Sequence, residues 1–117
     1  MGRRLPAVIM LATVLGFAAS ASAHTALQSS SPAPGAVVAK VPRTVTLTFS
    51  GRVARLLSAR IVDRTGANVA VGARMDGPRR VVITARGRTS GVHTVTYRVV
   101  GSDGDVQAGR YRFTVRR

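Results

Sequence analysis

The stretch from Thr44 to Phe49 does most to fix what this chain can fold into. It alternates strictly, with Val45, Leu47 and Phe49 on one face and threonines on the other. A two-residue period belongs to a strand with one buried face, whereas a helix repeats every ~3.6 residues. The signature recurs. Val92 to Val100 places Val95, Tyr97 and Val99 on one face, and Gly109 to Val115 does the same with Tyr111, Phe113 and Val115. Leu57 to Val62, Asn68 to Ala73 and Val81 to Thr84 are further strand-like runs, separated by the turn formers Asp63-Arg64-Thr65-Gly66 and Asp76-Gly77-Pro78. Ser29 to Gly35 is extended, because Pro32 and Pro34 break a helix there. Arg52 to Leu57 is the one segment whose pattern allows a short helical turn. Together these features predict an all-β chain, a small antiparallel Greek-key β-sandwich or barrel of immunoglobulin-like or cupredoxin-like kind.

The first residues do not fit that scheme. Arg3 and Arg4 precede an apolar run from Ala7 to Ala19, and Ser20 to Ala23 ends in the small–x–small form Ala21-Ser22-Ala23. This is the pattern of a cleaved secretory signal over residues 1–23. The apolar run is shorter than the ~20 residues of a spanning helix, and its flanks fit a signal better than an uncleaved anchor. Arg3-Arg4 also raises twin-arginine export, but the rest of that motif is missing. The reading is one domain over residues 24–117, soluble and monomeric, in the periplasm or outside the cell. It is not an integral membrane protein once the signal is removed.

Composition narrows the chemistry. Cysteine is absent, which excludes thiolate metal sites and thiol redox catalysis and leaves stability to packing alone. The chain has 18 Lys+Arg against four acids, for a formal charge of +14. That balance raises nucleic-acid binding. Export, the scatter of arginines along the sequence and the scarcity of aromatics for base stacking argue against it. The arginines read first as a solvated surface that uses Arg where others use Lys, and a basic surface of that kind also suits attraction to anionic lipid heads or wall polymers.

Cleavage after Ala23 would leave His24 at the N-terminus. Its α-amine and imidazole Nδ1 then form a two-nitrogen chelate from one residue, suited to a divalent metal. Little else in the chain offers metal-ligand chemistry.

At this point the sequence resembles the CopC-type copper-resistance proteins, over nearly all of residues 24–117. His24-Thr25-Ala26-Leu27 running into Ser31-Pro32-Ala33-Pro34-Gly35 is similar to that family's opening. Pro42-x-x-Val45-x-Leu47-x-Phe49-Ser50 and Gly91-Val92-His93-Thr94-Val95-Thr96-Tyr97-Arg98-Val99-Val100 are similar to two of its strands, and Asp103-Gly104 and Gly109-x-x-x-Phe113-x-Val115 complete the order. The resemblance implies a β-sandwich that carries Cu(II) in copper homeostasis or resistance and is not an enzyme. It also implies a metal site combining an N-terminal His with an Asp-x-His motif, which falls on His24 and Asp103 here. The third position departs, with Asp105 standing where the family has His. Gly101 stands where Ser is common, and Gly51 where an acidic residue often follows.

The implied ligand set is therefore His24, Asp103 and Asp105, with two nitrogens and up to two carboxylate oxygens. Copper(II) favours nitrogen-rich tetragonal sites, so this set is expected to bind more weakly and to discriminate less against other divalent ions. Asp103-Gly104-Asp105 also reads as a plain hairpin turn. His93 lies seven residues before Val100 on one strand, roughly 23 Å away, and so reads as a structural histidine far from Asp103. A methionine-rich Cu(I) site is not expected, since Met75 is the only methionine after the signal. The alternative is a degenerate family member acting as an interaction module for a membrane copper transporter of the CopD type, because relatives occur beside or fused to such a protein. A third reading, a copper oxygenase with a histidine brace, lacks the second His and an aromatic substrate face.

Overall fold

The computed structural model describes residues 25–116, and the proposed signal and His24 lie outside that range. Eight strands run in order: β1 (Leu27–Ser31), β2 (Val37–Val38), β3 (Thr44–Phe49), β4 (Val53–Val62), β5 (Ala70–Met75), β6 (Arg80–Ala85), β7 (Gly91–Gly101) and β8 (Val106–Val115). They form two sheets, ordered β1-β3-β6-β5 and β2-β8-β7-β4. Every strand pair is antiparallel except β2 with β8, which is parallel. There is no helix among the described residues, and the all-β sandwich expected from the alternation is the fold observed.

The alternating residues form the core. Val45, Leu47, Phe49, Val81 and Ile83 of one sheet meet Ile61, Val95, Val99 and Phe113 of the other, and all are buried. Phe49 takes the edge of Tyr97 at a ring distance of 5.5 Å and an interplanar angle of 74°, a geometry that aligns ring edge with ring face. With no disulfide available, this inter-sheet packing is the main source of stability.

One expectation fails. Val53 to Leu57 is strand, not a helical turn. The reason is that β4 is bulged. Its register against β7 shifts between Val53 and Arg55 and again between Leu56 and Ser58. Each shift inserts one residue, so the inward positions become Val53, Leu56 and Ala59, opposite Gly101, Val99 and Tyr97.

 A three-residue spacing of inward side chains results, and it imitates a helical period even though the backbone is extended.

The connections that matter for the site gather at one end of the sandwich. Leu27 pairs with Phe49, Val53 with Gly101, and Val100 with Val106. These pairings bring the start of β1, the β3–β4 link and the β7–β8 turn together. The β5–β6 turn joins them, with the Val53 and Phe49 amides donating to the carbonyls of Pro78 and Arg79.

Candidate metal centre

The start of the described chain is tightly held. The Ala26 amide donates to Ser50 Oγ at 3.0 Å, and the Ser50 amide donates to the Ala26 carbonyl at 2.7 Å. Thr25 is buried at 5% exposure although it precedes the first strand. Its hydroxyl donates to the Arg52 carbonyl at 3.4 Å. The same carbonyl accepts the Ser102 amide at 3.1 Å. Arg52 O therefore ties the beginning of the chain to the β7–β8 turn.

Two glycines make this docking possible. A Cβ on Gly51 would lie 2.8 Å from Thr25 Oγ1. A Cβ on Gly101 would lie 2.9 Å from Thr25 Oγ1, 3.1 Å from Thr25 Cβ and 3.0 Å from Asp103 Oδ1. Thr25 thus occupies space that side chains at positions 51 and 101 would otherwise need. The two departures noted from the family pattern fit a third residue, Thr25, which sequence reading had passed over. Only a side-chain contact links the three positions, so no sequence spacing signals it.

Asp103 and Asp105 both lie in the β7–β8 turn and are exposed. The Asp103 carboxylate shapes that turn, since its Oδ1 accepts the Asp105 amide at 3.0 Å. Gly101 and Gly104 close it, through Gly101 N–H to the Asp105 carbonyl and Gly104 N–H to the Gly101 carbonyl, both 2.9 Å. Gly104 adopts φ +89°, a conformation open to glycine at little cost. The turn's hydrogen bonds use Asp103 Oδ1 and the backbone groups of Gly101, Gly104 and Asp105. His24 lies outside the described residues. Among the described residues, no three His, Asp or Glu side chains cluster closely enough to hold a metal ion.

The remaining acids and the second histidine serve the scaffold. Asp63 Oδ1 accepts the Thr65 hydroxyl at 2.6 Å, the Thr65 amide at 2.8 Å and the Ala67 amide at 3.2 Å. The Thr65 hydroxyl is the main influence holding its carboxyl below the usual 3.8, while burial opposes the shift. Asp76 forms an exposed ion pair with Arg80 at 3.5 Å. His93 is fully buried and stacks on Phe113 at 5.3 Å. Its Nδ1 lies 3.0 Å from the Gly91 carbonyl, which makes that nitrogen the protonated one, and Nε2 has no hydrogen-bond partner. His93 sits near the start of β7 and Asp103 just past its end, so the strand separates them.

Comparison with known proteins agrees with this architecture. The family model described as the CopC domain matches residues 27–116. Copper resistance protein C of Escherichia coli is 32% identical over 123 residues, covering 94% of this chain and 95% of that protein. The crystal structure of CopC from Methylosinus trichosporium OB3b is similar with a TM-score of 0.72 at 37% identity, over 80% of this chain and 94% of that one. PcoC, a methionine rich copper resistance protein from Escherichia coli, is similar with a TM-score of 0.63 at 28% identity, over 80% of this chain and all of that one.

Proposed function

This chain belongs to the CopC domain family of copper-resistance proteins, and from that premise we propose that it is an exported Cu(II) carrier whose metal is held by His24, Asp103 and Asp105. In this reading residues 1–23 are removed as a signal, and residues 24–117 act in the periplasm or outside the cell. The protein sequesters or hands over the ion and performs no catalysis.

The observation that carries the reading is the burial of Thr25 against Gly101, beside Asp103 Oδ1. Residue 24 is one peptide bond from Thr25, and consecutive Cα atoms are ~3.8 Å apart. The anchored Thr25 supports a reading in which the amine and imidazole of a processed His24 would reach the Asp103 turn. The donors are nitrogen and carboxylate oxygen, a set that suits Cu(II) better than Cu(I). PcoC is described as methionine rich, whereas this chain has three methionines in all, two of them in the proposed signal. That composition supports the divalent ion as cargo.

The test is Cu(II) titration of the exported protein, followed by EPR and the d–d band, with mass spectrometry fixing the N-terminus. One site of mixed nitrogen and oxygen ligation, abolished by an extra residue before His24 and weakened by Asp103→Ala, is the expected result. Weak or absent binding with His24 confirmed as the first residue would overturn it. That outcome would favour the second reading, an interaction module for a CopD-type membrane transporter. The observation behind this alternative is that Asp103 Oδ1 already accepts the Asp105 amide, and that Asp105 offers an oxygen in place of the family's imidazole.

A further inference from the structure

The two outer faces of the sandwich differ in charge. On the β1-β3-β6-β5 sheet the outward pairs are Thr44 with Thr84, Thr46 with Val82, and Ser29 with Thr48. That face mixes hydroxyls with two arginines, Arg80 opposite Thr48 and Arg74 opposite Val82, and Arg80 is paired with Asp76. The β2-β8-β7-β4 sheet is different. Cross-strand partners share a face, and inward Val95, Tyr97 and Val99 alternate with outward Thr94, Thr96, Arg98 and Val100. Thr94 pairs with Arg112, and Thr96 pairs with Arg110 on one side and Arg60 on the other. Arg55 pairs with Val100. Arginines 55, 60, 98, 110 and 112, scattered along the sequence, thus share one outward face, and all are exposed.

No acid shares that face. All four acids of the chain lie in turns outside the strands. Six residues of strand and two strand spacings put the five guanidinium groups within roughly 20 Å by 10 Å. Neighbouring charges there lie within about one Debye length, ~8 Å at physiological salt. They repel unless an anionic surface faces them. Val92 and Val106 stand exposed on the same face at 43% and 48%. At its β8 edge a groove of about 610 Å³ opens between Pro34, Gly35, Thr94 and the two arginines 110 and 112.

We propose that this arginine face docks the protein onto an anionic phospholipid surface. The shape and chemistry favour lipid over the alternatives. A face of this size is well below the ~800 Å² per partner of a stable protein interface, and it presents no exposed aromatic anchor. A single-stranded nucleic acid would stack its bases on aromatics, which the face also lacks. An array of phosphate headgroups needs neither; it needs closely spaced cations, with apolar side chains able to approach the headgroup layer. The inference does not depend on copper.

The test is co-sedimentation of the exported protein, its N-terminus fixed by mass spectrometry, with vesicles at physiological salt. One set contains phosphatidylglycerol in phosphatidylcholine, the other phosphatidylcholine alone. Binding is expected only to the anionic set. Each arginine removed from the face should lower partitioning about fivefold, so Arg98→Gln/Arg110→Gln/Arg112→Gln together should lower it about a hundredfold. Arg43→Gln/Arg74→Gln/Arg86→Gln removes the same net charge elsewhere and should cost much less. The triple Lys variant at 98, 110 and 112 should retain binding, which separates charge loss from misfolding. Equal losses from the two Gln sets, equal binding to both vesicle types, no binding at physiological salt, or tighter binding to a single-stranded oligonucleotide would each overturn the proposal.

Discussion

Thr25 and Asp103 converge on a single point: the position a Cβ on Gly101 would occupy lies 2.9 Å from Thr25 Oγ1 and 3.0 Å from Asp103 Oδ1. The residue that ends the proposed ligand-bearing terminus and the residue proposed to complete the site thus share one glycine as their boundary.

Gly101→Ala tests that relationship directly. The added methyl meets Thr25 and Asp103 at once, and one of them must move by several tenths of an ångström. The fold should persist, because Gly101 has an ordinary strand conformation and the inter-sheet core is untouched. Copper affinity should fall about 10–100-fold, the range seen when groups supporting metal ligands are displaced. Isothermal titration beside a thermal melt separates the two effects. Unchanged affinity would mean that the Thr25 anchor has no part in binding.

Asp105→His should tighten Cu(II) binding. The turn depends on the Asp105 backbone amide and carbonyl, both of which survive the substitution. The new imidazole would therefore replace a carboxylate oxygen with a nitrogen at the same place, and Cu(II) prefers the nitrogen. We expect a gain of at least tenfold, by analogy with the ~10–100-fold effects of lesser changes around metal ligands, together with an added nitrogen coupling in EPR. No gain would place Asp105 outside the site.

These two residues mark what the sequence could and could not reveal. The strands were legible wherever an uninterrupted two-residue alternation produced them, as in Thr44 to Phe49. The start of β4 carries a helix-like pattern in the sequence because its bulges space the inward residues three apart. The turn at Asp103-Gly104-Asp105 was legible from its Asp-Gly chemistry, and the resemblance singled out its two acids as candidate ligands. Thr25 was not, since its role depends on gaps at Gly51 and Gly101 that are distant in sequence and meet only in the folded chain. The arginine face was hidden for a related reason: only strand register brings Arg60, Thr96 and Arg110 into one row.

His93→Phe should leave copper binding unchanged and hold or raise stability. His93 reads from the sequence as a structural histidine, and it is fully buried against Phe113 with Nε2 unpartnered. An unpaired buried polar group costs about 1–3 kcal/mol, while the Nδ1 bond to the Gly91 carbonyl that the substitution gives up contributes about 1 kcal/mol. Phenylalanine keeps the stack on Phe113 and removes the orphan nitrogen. A net gain of about 1 kcal/mol in urea unfolding is the expected result. A clear loss of copper affinity would instead assign His93 a role at the metal, which its place at the far end of β7 opposes.

Asp63→Asn should destabilise the protein in a pH-dependent way. The Asp63 carboxylate accepts three hydrogen bonds across the β4–β5 turn, and its pKa is lowered, chiefly by the Thr65 hydroxyl. A carboxyl more acidic in the folded state than in the unfolded chain binds fewer protons when folded, so it stabilises the fold while ionised. That contribution is present above the unfolded value of about 3.9 and is complete about one pH unit higher, where the unfolded carboxyl is also ionised. It is lost as pH falls through the lower folded value. Asparagine keeps one acceptor oxygen but no charge and no titration. Thermal melts at pH 7 should therefore show the wild type more stable than the variant. The gap should narrow below the usual 3.8 and close at lower pH. A gap of the same size at pH 7 and pH 2 would mean that the hydrogen-bond geometry of Asp63, and not its charge, holds the turn.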